Sequence, residues 1–347
     1  MPRCRLFACL LLLSLLLPLP SRAADPCASP AMYAASGTVA GRIAATACTE
    51  HRLWYRPFID AEGRLSGSRV REAETARLAN GQPAWERVIE YWRDGGLLWQ
   101  TQAASACGSA EGVAAPAWCR WFVVDTPWSA AFVSWVMGKA GVPGYRGSAS
   151  HVNYVRRAYR DPLGNAYRVA YPQTAKAKQG DLLCYVRVPS RVYGFDGVMA
   201  QLAGNDGGLN MHCDIVVGID DGVLYLVGGN VFDGVTMRMI TLDGTGRLSR
   251  LPLRGIDDRE CSPDAPDACD LNRQDWAVLL ELRDERDLLA LAQPSLLSSS
   301  AAPITGEASQ CCTDCSGGDG LPPCPAEEIP AQEAVPEPPA VEDAQPA

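Results

Sequence analysis

Three histidines, His51, His151 and His212, are the chain's whole supply of imidazole, so each can be weighed singly as a base or a ligand. His212 stands in Met211-His212-Cys213-Asp214-Ile215-Val216-Val217, where alternation predicts a strand with His212 and Asp214 on one face and Cys213 on the other. An imidazole at a strand entry is well placed for general base work. Ser129 opens an apolar helical run, where backbone N–H groups have no partner within the helix. Unlike a thiol, its hydroxyl stays protonated at neutral pH and needs a base to take the proton in the transition state. Together the two residues can do acyl transfer: Ser129 attacks, His212 takes its proton, and a polar residue holds the imidazole in the right tautomer. Asn230, following Gly228-Gly229, is the first candidate for that orienting role, and Asp214 is the second. Bland roles stay open for all of them: a hydroxyl bonded to an orphan backbone group, a hydrogen-bonded structural histidine, a turn asparagine and a sheet-edge carboxylate.

His151, in Ser150-His151-Val152-Asn153-Tyr154, lies just beyond the apolar helix and is carried as a substrate contact, with a helix-capping role as its alternative. Tryptophans crowd between Trp85 and Trp135; most belong to the core, but one at a cleft mouth can stack on a sugar ring, and Trp128 beside Ser129 is the candidate. His51 reads as structural. Cys213 points away from its neighbour His212 and cannot be activated by it; Cys184, on the strand expected to pair with this one, is its natural partner in a disulfide or a pair of buried thiols. No histidine spacing supports a metal site, the acidic stretch Asp257–Asp270 lacks a calcium-loop pattern, and Cys312-x-x-Cys315 has no second pair at finger spacing. The expected chemistry calls for no cofactor.

The elements that must position these groups change character along the chain. Thr126 as N-cap and Pro127 at the first helical position predict a helix over 126–140, apolar almost all round and therefore buried, stopped by Gly141. An amphipathic helix is expected between Trp85 and Gly95-Gly96, and another near His151–Tyr159. Strands follow at 180–186, 213–219, 223–227, 235–242 and 276–282, with Asp221-Gly222 turning the second into the third. Helices first and an antiparallel meander after them make an α+β layout.

In this order, the helix Pro127-Trp128-Ser129-Ala130-Ala131-Phe132, then Gly180-Asp181-Leu182-Leu183, then His212 at a strand entry and Gly228-Gly229-Asn230, the chain resembles the papain-like cell-wall hydrolases. These are the NlpC-type peptidases and the CHAP domains, and the likeness covers about residues 120–242. Within them it looks especially like an uncharacterised family of secreted bacterial proteins. The resemblance implies a papain-like core: a buried helix packed on an antiparallel, partly barrel-like five-stranded sheet. It also implies hydrolysis of amide or peptide bonds, with peptidoglycan or cell-wall peptide as the partner. Ser129 departs from it, standing where those enzymes carry cysteine. The competing reading is a catalytically inactive domain that keeps the fold and binds cell-wall peptide or protein.

Composition bounds the rest. The 347 residues are 47% hydrophobic and 20% charged, enough to bury a full core. A formal charge of −9 argues against a nucleic-acid partner or an anionic membrane surface. Residues 1–24 read as a secretory signal, with Arg3 and Arg5, an apolar run from Leu6 to Leu17 too short to span a bilayer, and small residues at Ala23-Ala24. Cleavage there predicts a periplasmic or secreted protein without membrane insertion. Cysteines in such a compartment are expected to pair: Cys27 with Cys48, Cys107 with Cys119, and Cys261 with Cys269 suggest themselves by proximity. The expected organisation is the signal, an N-terminal extension over 25–80, the papain-like domain over 81–293, and a disordered, acidic, proline- and cysteine-containing tail over 294–347.

Overall fold

A computed structural model describes residues 25–72, 76–101, 107, 117–259 and 261–293. The expected signal and the 294–347 tail, with its four cysteines, lie outside the described residues.

The long apolar run of Met211–Asp220 (β5) is buried over its first eight residues because both faces of the sheet are covered. Asp221 and Gly222, both at positive φ, turn it into Val223–Val231 (β6), and Gly234–Thr241 (β7) completes the meander. Leu182–Val186 (β4) pairs antiparallel with β5 on one side and with Asp275–Leu282 (β8) on the other, and Tyr167–Ala170 (β3) closes that edge. At the opposite edge two short strands, Phe58–Ile59 (β1) and Leu65–Ser66 (β2), add to β7, with β1 running parallel to it. The architecture is mixed α and β, as expected, but the sheet is open and eight-stranded, in the order β2-β1-β7-β6-β5-β4-β8-β3. It replaces the expected five-stranded, partly barrel-like sheet. Strands of two to four residues carry too little alternation to stand out in a sequence, which is why β1, β2 and β3 were not expected.

Helices cover one face. The first two are Pro30–Ala34 (α1) and Val39–Leu53 (α2); Ala84–Asp94 (α3) and Ala117–Asp125 (α4) follow. Ser129–Lys139 (α5) is buried from Ser129 to Met137, as its all-round apolar character requires. His151–Arg160 (α6), Gly194–Gly204 (α7) and Glu285–Ala292 (α8) complete the set among the described residues. The larger core gathers side chains of α2, α3, α5 and α6 with Cys184, Cys213 and Val227 from the sheet. A second, smaller core takes the alternate residues of the strands, Leu183, Tyr185, Leu226 and Leu279, together with Trp276 and Leu248. The 25–80 segment is no mere lead-in: α2 lies in the core and β1 in the sheet.

Among the described residues there are four disulfides: Cys27–Cys48, Cys107–Cys119 and Cys261–Cys269 follow the expected pairings, and Cys184–Cys213 takes the disulfide alternative. They fit a protein that folds in an oxidising compartment. Among the described residues no helix is long and apolar enough to cross a membrane.

Candidate active site

Helix α5 starts two residues later than its sequence signals predict. Thr126 closes α4, its N–H donating to the Phe122 carbonyl at 3.0 Å, and Trp128 is the residue that caps α5. Residue 126 precedes a proline, which disfavours the helical conformation there, so α5 begins only past Pro127. Ser129 is thus the first residue of a helix with no side-chain cap, whose first backbone bond runs from the Phe132 N–H to the Trp128 carbonyl at 2.9 Å. The N–H groups of the first turn are left for another acceptor, with the positive end of the helix dipole behind them.

The buried Ser129 hydroxyl lies 2.7 Å from Nε2 of His151, the first residue of α6. The other ring nitrogen, Nδ1, meets the Tyr154 hydroxyl one turn along the same helix. Burial drives the His151 pKa well below its usual value; the neighbouring His212 and Arg187 push the same way, and Asp214 opposes them. Tyr154, fully buried, is held well above the usual phenol range, first by that burial. A neutral His151 beside a protonated phenol can donate from Nδ1 to the Tyr154 oxygen and accept the Ser129 proton at Nε2. Ser129, Ala130 and His151 line a cavity of about 480 Å³, with Arg187 and Asn210 among its other walls.

Across the seam, His212 and Asp214 share a strand face, opposite Tyr185 and Leu183 of β4, while Cys213 points the other way into its disulfide. His212 Nε2 and Asp214 Oδ1 are 2.7 Å apart; Asp214 Oδ2 accepts from Arg238 Nε at 3.1 Å. Arg238 is held in turn by Asn272 Oδ1 and the Leu271 carbonyl. Burial pushes the Asp214 carboxyl up, but His212 and Arg238 overcome it and hold the pKa at about 2. The ionised carboxylate places a proton on Nε2, so Nδ1 is the free end of the ring, and it has no hydrogen-bond partner. Gly228 makes room for the pair: a Cβ there would meet Asp214 Oδ1 at 1.9 Å and His212 Nε2 at 3.0 Å. His212 lines a second cavity, of about 450 Å³, that shares Pro127 and Arg187 with the first. The His151 and His212 ring centroids are 5.2 Å apart.

The expected partnership between Ser129 and His212 is therefore rearranged. Ser129 bonds His151, expected as a substrate contact, and His212 stands behind it. Asp214 rather than Asn230 is hydrogen-bonded to His212; Asn230 lines the His212 cavity from a left-handed backbone position. Trp128 is a core residue and no cleft-mouth platform. It is fully buried and stacked on Trp54 and Tyr91 at 5.7 and 5.6 Å, because an indole at the start of an all-apolar helix gains most from an aromatic cluster. His51 is structural, with Nε2 at 2.9 Å from the Pro57 carbonyl. Sequence reasoning missed Tyr154 and Arg238. Each left a trace: Tyr154 lies one helical turn from His151, and Arg238 is a lone charge in the apolar strand Val235–Ile240.

The residues of the seam lie within a stretch that matches a known family. A family model described as an uncharacterised protein conserved in bacteria (DUF2272) matches residues 79–282, well over half the chain, and the protein belongs to that family. The match itself makes no link to the papain-like hydrolases. No curated protein and no solved structure matches the chain.

Proposed function

We propose that the protein is a hydrolase of amide or peptide bonds in the bacterial cell wall, with Ser129 as the nucleophile. The observation that carries this reading is the 2.7 Å bond between the Ser129 hydroxyl, at an uncapped helix start, and a buried His151 held neutral. Nucleophile, base and unpaired backbone donors meet at one point, which is what acyl transfer needs. Ser129 Oγ attacks the carbonyl carbon as His151 Nε2 takes its proton, and the N–H groups of the first turn of α5 receive the oxyanion. His151 hands that proton to the leaving amine as the C–N bond breaks, then takes one from the water that attacks the acyl-serine ester and returns it to Ser129 as the acid departs. Tyr154 keeps the His151 ring in its tautomer. His212, bonded at one nitrogen and free at the other, stands within reach of this centre as a proton carrier whose charge Asp214 would pair. The likeness to the papain-like hydrolases in the order of helix, strand histidine and glycine turn supports the bond type and the cell-wall substrate.

The test is hydrolysis of purified peptidoglycan and of an activated ester by the protein, beside Ser129→Ala. Expected is release of new amino groups, and loss of roughly a thousandfold or more in the variant. Equal rates would overturn the reading, and peptidoglycan binding without turnover in either protein would make this a binding domain.

A further inference from the structure

The acyl-transfer reading leaves one part of the His212 cavity unused. Glu72 enters that cavity from the segment before α3 and is only 4% exposed, yet its Oε2 has no hydrogen-bond partner. Its neighbour there is a second acid. The Glu72 N–H donates to the Asp233 carbonyl at 3.0 Å, which holds the two residues side by side, and both line the cavity. Burial pushes the Glu72 carboxyl up and Asp233 adds to the push; its own backbone N–H, Arg71 and the Trp128 indole offset this only in part, leaving a pKa of about 7. A buried carboxylate with one oxygen left without a donor is costly, and a second carboxylate beside it makes it costlier.

The wall that carries Asp233 is the tight turn joining β6 to β7: Phe232 and Asp233, its two central residues, have φ of 53 and 61°, and Asn230 before them has 55°. Arg238, the buried cation of this cavity, is already committed to Asp214, and Arg187 stands at the junction with the Ser129 cavity. Positive charge entering here is therefore steered to the acids. Among the described residues no three of His, Cys, Asp and Glu are placed to hold a metal ion, so an organic cation suits the site better. A primary ammonium is compact and brings three donors to two carboxylates.

We propose that Glu72, with Asp233, seats a primary ammonium group of the substrate, so that the protein selects peptides carrying a free amine and presents them beside His212. The inference rests on the hydrolase reading for what happens next, but not for the binding itself.

The experiment uses the full chain carrying Ser129→Ala, so that nothing is consumed. Its probes are a tetrapeptide released from peptidoglycan with its amines free and the same peptide with its amines acetylated, each titrated calorimetrically. A charge-assisted contact of this kind predicts roughly tenfold weaker binding after acetylation. Glu72→Gln should weaken the free-amine peptide by a similar factor and shift the acetylated one by less than twofold. Asp233→Asn, a second and more exposed change, should lower the preference in the same direction. Equal affinity for the two peptides, binding of neither, or a preference that survives Glu72→Gln would each overturn the proposal. A preference without hydrolysis by the unmodified protein would sink the hydrolase reading alone, and hydrolysis without a preference would sink the ammonium site alone.

Discussion

The two histidines of the seam are held in opposite ways. His151, at the start of α6, is bonded at both ring nitrogens, to Ser129 and to Tyr154, and has no carboxylate of its own. His212, at the start of β5, has a carboxylate on one nitrogen and nothing on the other. Burial removes the proton from the first, while the second lies beside a charge that Arg238 also holds in place. A ring clasped at both ends is suited to take a proton from one fixed partner, whereas a ring with one open end can deal with whatever enters the cavity. Position in the fold creates the difference: a helix start supplies neighbours along its own turn, and a strand supplies them from residues two apart and from the strands beside it.

Substituting the histidines one at a time is the sharpest way to break this comparison. Once hydrolysis is established, His151→Ala should lower kcat/KM by roughly ten-thousandfold, close to the loss from Ser129→Ala, because residues that act as a unit fail together. His212→Ala should cost less, roughly a hundredfold, if it carries protons rather than activating the nucleophile. Steady-state rates on an activated ester settle the order; the reverse order would move the base to His212. The next effect is on stability. Asp214→Asn leaves Arg238 buried without its counter-charge and should cost roughly 3 to 5 kcal/mol in chemical denaturation. With the folded pKa near 2 and an ordinary value of 3.8, the carboxylate's contribution is complete above about pH 4 and is lost as pH falls through 2. The variant should lack that acid-side loss, and an unchanged acid limb would mean that the pair is not what holds His212.

The smallest effect concerns the acid across the cavity. The Glu72 carboxyl sits near 7 against an ordinary 4.5, so its ionisation weakens folding as pH rises from about 4.5 to 7 and the full cost is present above that. Glu72→Gln should therefore raise thermal stability at pH 8, by about 1 to 3 kcal/mol, and leave it unchanged at pH 4. A residue that costs stability where it stands is the kind kept for function, so a gain at pH 8 accompanied by weaker ligand binding would sharpen the contrast between the two sides of the seam.

Several of these features were legible in the residues. The alternation Met211-His212-Cys213-Asp214 correctly predicts the histidine and the carboxylate on one face and the cysteine on the other, and the Asp221-Gly222 turn appears where the chain calls for it. The all-apolar run after Ser129 becomes the buried helix. Less visible were Tyr154 and Glu72. A tyrosine on an amphipathic helix looks like core until the partner of its hydroxyl is known, and Glu72 sits in a weakly patterned polar stretch, where an acid reads as solvated. Trp128 misled in the other direction, since a tryptophan beside a nucleophile looks like a platform until its ring is found stacked on Trp54.

What the chain dictated by itself is what period and proximity encode: the strand faces, the helix with no wet side, and three disulfides between cysteines 21, 12 and 8 positions apart. A side chain's face follows from a repeat of two or 3.6 residues, and cysteines close in sequence find one another with little loop entropy to overcome. Only the tertiary structure decided which imidazole meets Ser129 and that Glu72 and His212 line one cavity. Those pairings depend on where a helix, a sheet edge and an N-terminal segment come to rest against one another, and a hydrogen bond responds to shifts of half an ångström that no local pattern records.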